Sequence, residues 1–207
     1  MSLKLLLIFA VTEFLLSLTP GPAVLLVVSQ GITAGFKPSL RGTLGILTGN
    51  AIYFVLSAVG LSALLMASAT LFQIIKWLGI AYLILTGIRM MVSTDESKET
   101  DGLRVEKRRS LKLFSQGLIT QLANPKAIVF FTALLPQFVS PGGRMFQQFM
   151  TLGIVSVAVE LPVLTSYGWL AHRGTALIPE NLSLLPQRIA GGFLIGAGVG
   201  LAAIRRP

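Results

Sequence analysis

Two helix-breaking motifs interrupt apolar stretches of this chain, Thr19-Pro20-Gly21-Pro22 and Ala123-Asn124-Pro125-Lys126. Each falls where an unbroken membrane helix would otherwise run. In lipid every backbone N–H and C=O must be satisfied within the protein, so irregular backbone is tolerated only where it is buried or faces a polar cavity. A proline removes one donor and pushes the residue before it out of helical conformation. Two such breaks at matching positions of two chain halves point to a transport site near the bilayer midplane.

The composition agrees. Of 207 residues, 53% are hydrophobic and only 12% charged, about half the charge of a soluble domain. There is no cysteine and a single histidine, His172. Disulfides, thiolate metal sites and iron–sulfur clusters are therefore excluded, and neither a cofactor nor a bound metal is expected. The net charge of +9 does not mark a nucleic-acid binder, because the basic residues cluster between apolar segments; Lys107-Arg108-Arg109 reads as a cytoplasmic loop. The first apolar run continues into proline, glycine and a second apolar stretch, so it reads as retained rather than as a cleaved signal.

At roughly 20 residues per crossing, six spans are predicted: 3–32, 43–66, 71–92, 113–137, 146–171 and 186–204. The first is long enough for two half-helices joined at the break. Residues 93–112 mix acids with the basic run and read as a hydrophilic loop. That loop separates repeat one (1–92) from repeat two (113–207) within a single transmembrane domain, 1–207. About eleven Lys and Arg fall on one side, among them Lys37, Arg41, Arg109 and Arg173, against about five on the other, which places both termini outside.

The halves align. Gly45-Ile46, Val55-Leu56 and Gly60 match Gly153-Ile154, Val163-Leu164 and Gly168 without a gap, and Pro22 falls opposite Pro125. A repeat of three spans must be inverted, because an odd number of crossings flips the second copy. The expected fold class is an all-α membrane protein, six transmembrane helices in an inverted 3+3 repeat with the first and fourth broken.

Away from the loops stand three charges, Glu13, Lys126 and Glu160. A charge at the bilayer centre costs at least about 2.5–3.5 kcal/mol, so such residues face a partner or a wet cavity. Glu160, with Pro162 loosening its helix, is the preferred proton carrier, and Glu13 the second. The alternatives are a permanent Glu160–Lys126 ion pair and a local Glu13–Ser17 hydrogen bond. A helix N-terminus follows each break and suits a carboxylate. A zwitterion would place its carboxylate there and its ammonium at Glu160 or Glu13. The substrate site is thus expected at Pro20, Gly21, Pro22, Asn124, Pro125 and Lys126, with Asn50 and Tyr167 as orienting groups. Gly45/Gly49 and Gly192/Gly196 have the spacing of close helix packing, Trp77 and Trp169 read as interfacial, and His172 as a loop residue beside Arg173.

The chain resembles the bacterial amino-acid exporter family of LysE/RhtB type. The residues that carry the resemblance are Leu18-Thr19-Pro20-Gly21-Pro22, Gly45 with Gly49, and Lys76-Trp77-Leu78-Gly79-Ile80-Ala81-Tyr82-Leu83. The second half adds Asn124-Pro125-Lys126-Ala127, Phe130-Phe131, Leu135-Pro136-Gln137-Phe138, Gly191 and Gly196. The resemblance covers nearly the whole chain. It implies an inner-membrane exporter of amino acids or close derivatives, proton-driven, and not an enzyme; a homodimer is compatible with it. Where the family typically has an aspartate in the fifth span this chain has Glu160, one methylene longer. Lys126 in the site favours small neutral substrates. The competing readings are a divalent-cation exporter, with Glu13 and Glu160 as hard ligands, and a non-transporting membrane scaffold.

Overall fold

A computed structural model of the protein describes residues 2–58, 69–92, 102–140, 144–175, 177 and 185–203. Among them lie eight α-helices and no strand. Helix α1 (Leu3–Leu18) starts where the Ser2 side chain accepts the Leu5 N–H, an N-cap. It stops because Pro20 forces Thr19 into extended backbone (φ −74°, ψ 118°). After extended Gly21, helix α2 (Pro22–Ala34) begins with proline at its first position, where a missing N–H costs nothing. The two helices are bent by 54°. Gly35 turns the chain at φ 93°, a conformation glycine alone adopts without strain, into α3 (Phe36–Ala58).

Helix α4 spans Ala69–Val92 and α5 Gly102–Leu122. At the second break Asn124 is extended and caps α6 (Pro125–Val129), its side chain accepting the Lys126 N–H. The helix then loosens into a π turn (Phe130–Leu134) and tightens into a 3₁₀ turn (Leu135–Phe138) around Pro136. Across this break the chain bends by 49°. Helix α7 (Met145–Thr175) runs through Pro162 without ending, and α8 covers Leu185–Ala203.

By length and apolarity, among the described residues, α7 is long enough to cross a membrane, and each bent pair adds one more crossing if taken as a single span. The distribution of side chains supports that environment. On α1 the polar Glu13 and Ser17 are buried (6% and 7% exposed) while Leu15 is 59% exposed, the reverse of a soluble helix.

Helices α3 and α7 run antiparallel, with β-carbon positions at Gly168 and Gly153 facing Ser39 and Phe54 respectively. Along α3 and α5 the contacts advance together, Gly42 on Gly117 and Gly49 on Gln121, so those two run the same way. Lys37, Arg109, Lys112 and Arg173 therefore share one end of the bundle, the grouping expected from the sequence. The core on one side is aromatic. Phe131 stacks on Tyr53 (4.9 Å between ring centres) and meets Phe54 edge-on (4.8 Å).

Four expectations need correction. Residues 102–112 of the supposed loop are the first turns of α5 (93–101 lie outside the described residues), because from Leu103 to Gln116 the run is built largely of the helix formers Leu, Arg, Lys and Glu, with no glycine or proline to break it. The second span starts earlier than 43, since α3 opens at the Gly35 turn; residues 59–66 lie outside the described residues. His172 is in the last turn of α7, 3.8 Å from the β-carbon position of Gly35, rather than in a loop. In α8, Gly192 and Gly196 have none of the described residues within 4 Å of their β-carbon positions. The close approach is made by Gly191, whose β-carbon would lie 2.6 Å from Gly87 O on α4. The Gly45/Gly49 pair does pack as expected, against Phe114, Leu118 and Gln121 of α5.

Candidate functional site

The two breaks meet around a half-open cavity of about 50 Å³, room for a few waters. Every α-helix that packs between the broken pairs sends a polar side chain to it. Glu13 comes from α1, Glu160 from α7, Asn50 from α3, and Gln121, Asn124 and Lys126 from the α5–α6 break.

These groups are joined. Ser156 donates to Glu13 Oε1 at 2.7 Å, and Glu160 lies one turn further along the same face of α7. Asn50 Nδ2 donates to Glu160 Oε2. Gln121 Nε2 donates to Asn50 Oδ1, and Asn124 Nδ2 to Gln121 Oε1 at 3.1 Å. Asn124 Oδ1 in turn accepts from the Lys126 N–H at 3.1 Å. Lys126 Nζ then crosses back to α1, donating to Leu16 O and, at 3.1 Å, to Thr19 O. A chain of polar contacts thus passes from α1 through α7, α3, α5 and α6 and returns to α1, buried except where Lys126 closes it.

Lys126 therefore does two things at once. Its cation satisfies carbonyls at the C-terminal end of α1, where the helix dipole is negative, and it closes the first break onto the second. The permanent ion pair with Glu160 is not formed; the ammonium is hydrogen-bonded to carbonyl oxygens instead. Likewise Glu13 is held by Ser156 of α7 rather than by Ser17 of its own helix. Lys126→Met is expected to lower the thermal midpoint in detergent by about 5 °C, since charge-assisted hydrogen bonds contribute about 1.5–3 kcal/mol. Lys126→Arg should recover most of that loss, as followed by a thermal unfolding assay.

Gly21, Ala23 and Val24, at the start of α2, line the same cavity. The Ala23 and Val24 N–H groups precede the first intrahelical bond, Leu25 N–H to Gly21 O at 2.9 Å, and have no partner within their own helix. The cavity is thus lined by the electropositive start of a helix and by two carboxyl groups.

Of the site residues read from the sequence, Glu13, Gly21, Asn50, Asn124, Lys126 and Glu160 come together on the cavity. Pro22 and Pro125 stand at the first positions of α2 and α6, the helices that start beside the cavity, and are not among the residues lining it. Pro20 is exposed. Tyr167 is not brought to the cavity. Its hydroxyl donates to Leu18 O at 2.9 Å, and its ring lines a separate apolar groove between α1 and α7. Tyr53 makes the matching bond at the other break, donating to Leu122 O at 2.6 Å. Each broken helix is thereby closed by a tyrosine from the opposite half of the chain.

Sequence reading missed Gln121 and Ser156. Neither carries a formal charge, so neither stands out in an apolar segment. The available signal is spacing: Ser156 lies four residues before Glu160 on the same helix face, and Gln121 lies three residues before Asn124, in the last turn before the break.

A family model described as "LysE type translocator" matches residues 14–204. The chain is 33% identical over 199 residues to a homoserine/homoserine lactone efflux protein of Salmonella typhimurium, covering 95% of each chain. It is 32% identical over 206 residues to an uncharacterized membrane protein of Vibrio cholerae, covering 99% of this chain and 100% of that protein. An uncharacterized membrane protein of Bacillus subtilis is 28% identical over 188 residues. No solved structure matches the chain.

Proposed function

The chain belongs to the LysE type translocator family, a family of transporters rather than enzymes, and from that premise we propose that it is a proton-coupled exporter of small neutral amino acids or their close derivatives. Homoserine, named in two of the relatives, is the first substrate to test. The observation that carries the reading is the half-open cavity at the meeting of the two breaks, lined both by the carboxyl groups of Glu13 and Glu160 and by the N-terminus of α2.

In this reading the substrate carboxylate sits at the N-terminus of α2, formed by Gly21 and Pro22, and its ammonium at Glu160 with Glu13 nearby. Asn50 and Asn124 orient those groups, and Pro20 and Pro125 hold the breaks open. Lys126 disfavours a second positive charge on the substrate. As the ammonium arrives at Glu160 a proton leaves, and the reverse exchange resets the site, so an inward proton gradient drives export. Six spans in an inverted 3+3 arrangement, within one domain in the bacterial inner membrane with both termini outside, would let the halves rock around the site. The paired tyrosine bonds at the ends of α1 and α5 support that symmetry, as does the approach of α1 to α7 and of α5 to α3. A divalent-cation exporter is less well supported, because two carboxyl groups beside an ammonium make a poor hard-cation site.

The test is efflux from cells loaded with dipeptides that release homoserine, threonine, alanine, leucine or lysine inside. Export of the small neutral compounds that collapses when a protonophore is added is the expected result. Export of lysine in preference would sink the neutral-substrate reading, and metal tolerance without amino-acid efflux would replace it with cation export.

A further inference from the structure

The amide chain leading to Glu160 has a polarity, and one end of it is pinned. A backbone N–H can only donate, and that of Lys126 donates to Asn124 Oδ1. Asn124 therefore turns its Nδ2 toward Gln121, which must accept through Oε1. Gln121 is left with Nε2 for Asn50 Oδ1, and Asn50 with Nδ2 for Glu160 Oε2. Turning any one amide alone would set two donors or two acceptors face to face, so the three turn together or not at all. All four side chains are buried, which makes a mismatch costly.

We propose that Gln121 is a positioning residue for Glu160, carrying the polarity set at the α6 N-cap so that Oε2 is held as an acceptor and proton–ammonium exchange is confined to Oε1. The inference rests on the proton-coupled export reading above. One proton leaves Oε1 as one ammonium arrives, so the charge of the site is unchanged. A carboxyl protonated at Oε1 and a carboxylate both leave Oε2 free to accept from Asn50, so the relay keeps its polarity through the exchange. The other charged groups near Glu160 are Glu13 from α1 and Lys126 from α6. Neither is hydrogen-bonded to it, so neither selects which oxygen exchanges.

The test uses the full-length protein in proteoliposomes with homoserine as the probe. Exchange of labelled for unlabelled homoserine needs no net proton movement, whereas uphill homoserine transport driven by an imposed pH gradient does. Gln121→Met keeps the length of the side chain and removes both bonds. Gradient-driven transport should fall about tenfold or more relative to exchange, the equivalent of one hydrogen bond to a charged group. In an Asn50→Leu background the same change should alter that ratio no further. Equal loss of both activities, loss of neither, or full additivity with Asn50→Leu would overturn the inference while leaving export intact. A wild type that exchanges homoserine without responding to the gradient would overturn proton coupling itself, and one that moves no homoserine would overturn the export reading beneath it.

Discussion

Glu160→Gln is expected to abolish gradient-driven efflux while leaving the protein folded in the membrane. Glutamine fills the same volume and still accepts from Asn50 Nδ2 through its carbonyl oxygen, so the relay from Asn124 survives. What is lost is the negative charge that would bind an ammonium and the atom that would carry a proton. Removing one partner from a buried charge pair costs about 2–5 kcal/mol, and each 1.4 kcal/mol is a factor of about ten. Efflux should therefore drop at least about thirtyfold, with membrane content unchanged on immunoblots. Glu160→Asp retains the chemistry but draws the carboxyl back by one methylene. It should shift the order of preference among substrates more than the maximal rate, as read in competition between homoserine and leucine. Full efflux in Glu160→Gln would move the proton-carrying role to Glu13, the other carboxyl on the cavity.

Gly117→Val should prevent the bundle from assembling. Gly117 lies directly against the backbone of Gly42 where α3 crosses α5, and a β-carbon there would clash with Gly42 O. The obstacle is backbone on both sides, so no rotamer change relieves it. Small residues at helix crossings in membranes serve this close approach, and overpacking of a tight interior costs about 1–3 kcal/mol or more. The same crossing holds Asn50 and Gln121 at hydrogen-bonding distance, so even a folded variant should lose efflux. Gly192→Val is the control, because none of the described residues lies within 4 Å of its β-carbon position. Monodisperse yield in detergent should fall sharply for Gly117→Val and stay at the wild-type level for Gly192→Val. Comparable yields would show that α3 and α5 can separate without cost.

Much of the architecture is written in residue types whose physics is local. Pro20, Pro22 and Pro125 end and start helices through their own covalent geometry, whatever surrounds them. Glu13, Lys126 and Glu160 are legible because charge in an apolar segment is expensive and so must be answered by something. The helix that replaced the expected loop at 102–112 was hidden by its charges; residues such as Lys107 and Arg108 make a segment hydrophilic without making it irregular.

What stayed out of reach depends on distances between helices. Lys126 finds carbonyls at the end of α1 rather than Glu160, Tyr167 closes a helix end rather than facing the cavity, and Gly191 rather than Gly192 makes the close contact in α8. Each is a choice among neighbours on the same helix, decided by rotations and crossings that hydropathy does not encode. The sequence by itself determined that this is a helical membrane protein with two breaks, and with two acids and one base inside apolar segments. Only the tertiary structure decided that Asn50, Gln121 and Asn124 link the second break to Glu160. Uncharged amides are recognisable as a relay only when packing aligns donor with acceptor over about 3 Å.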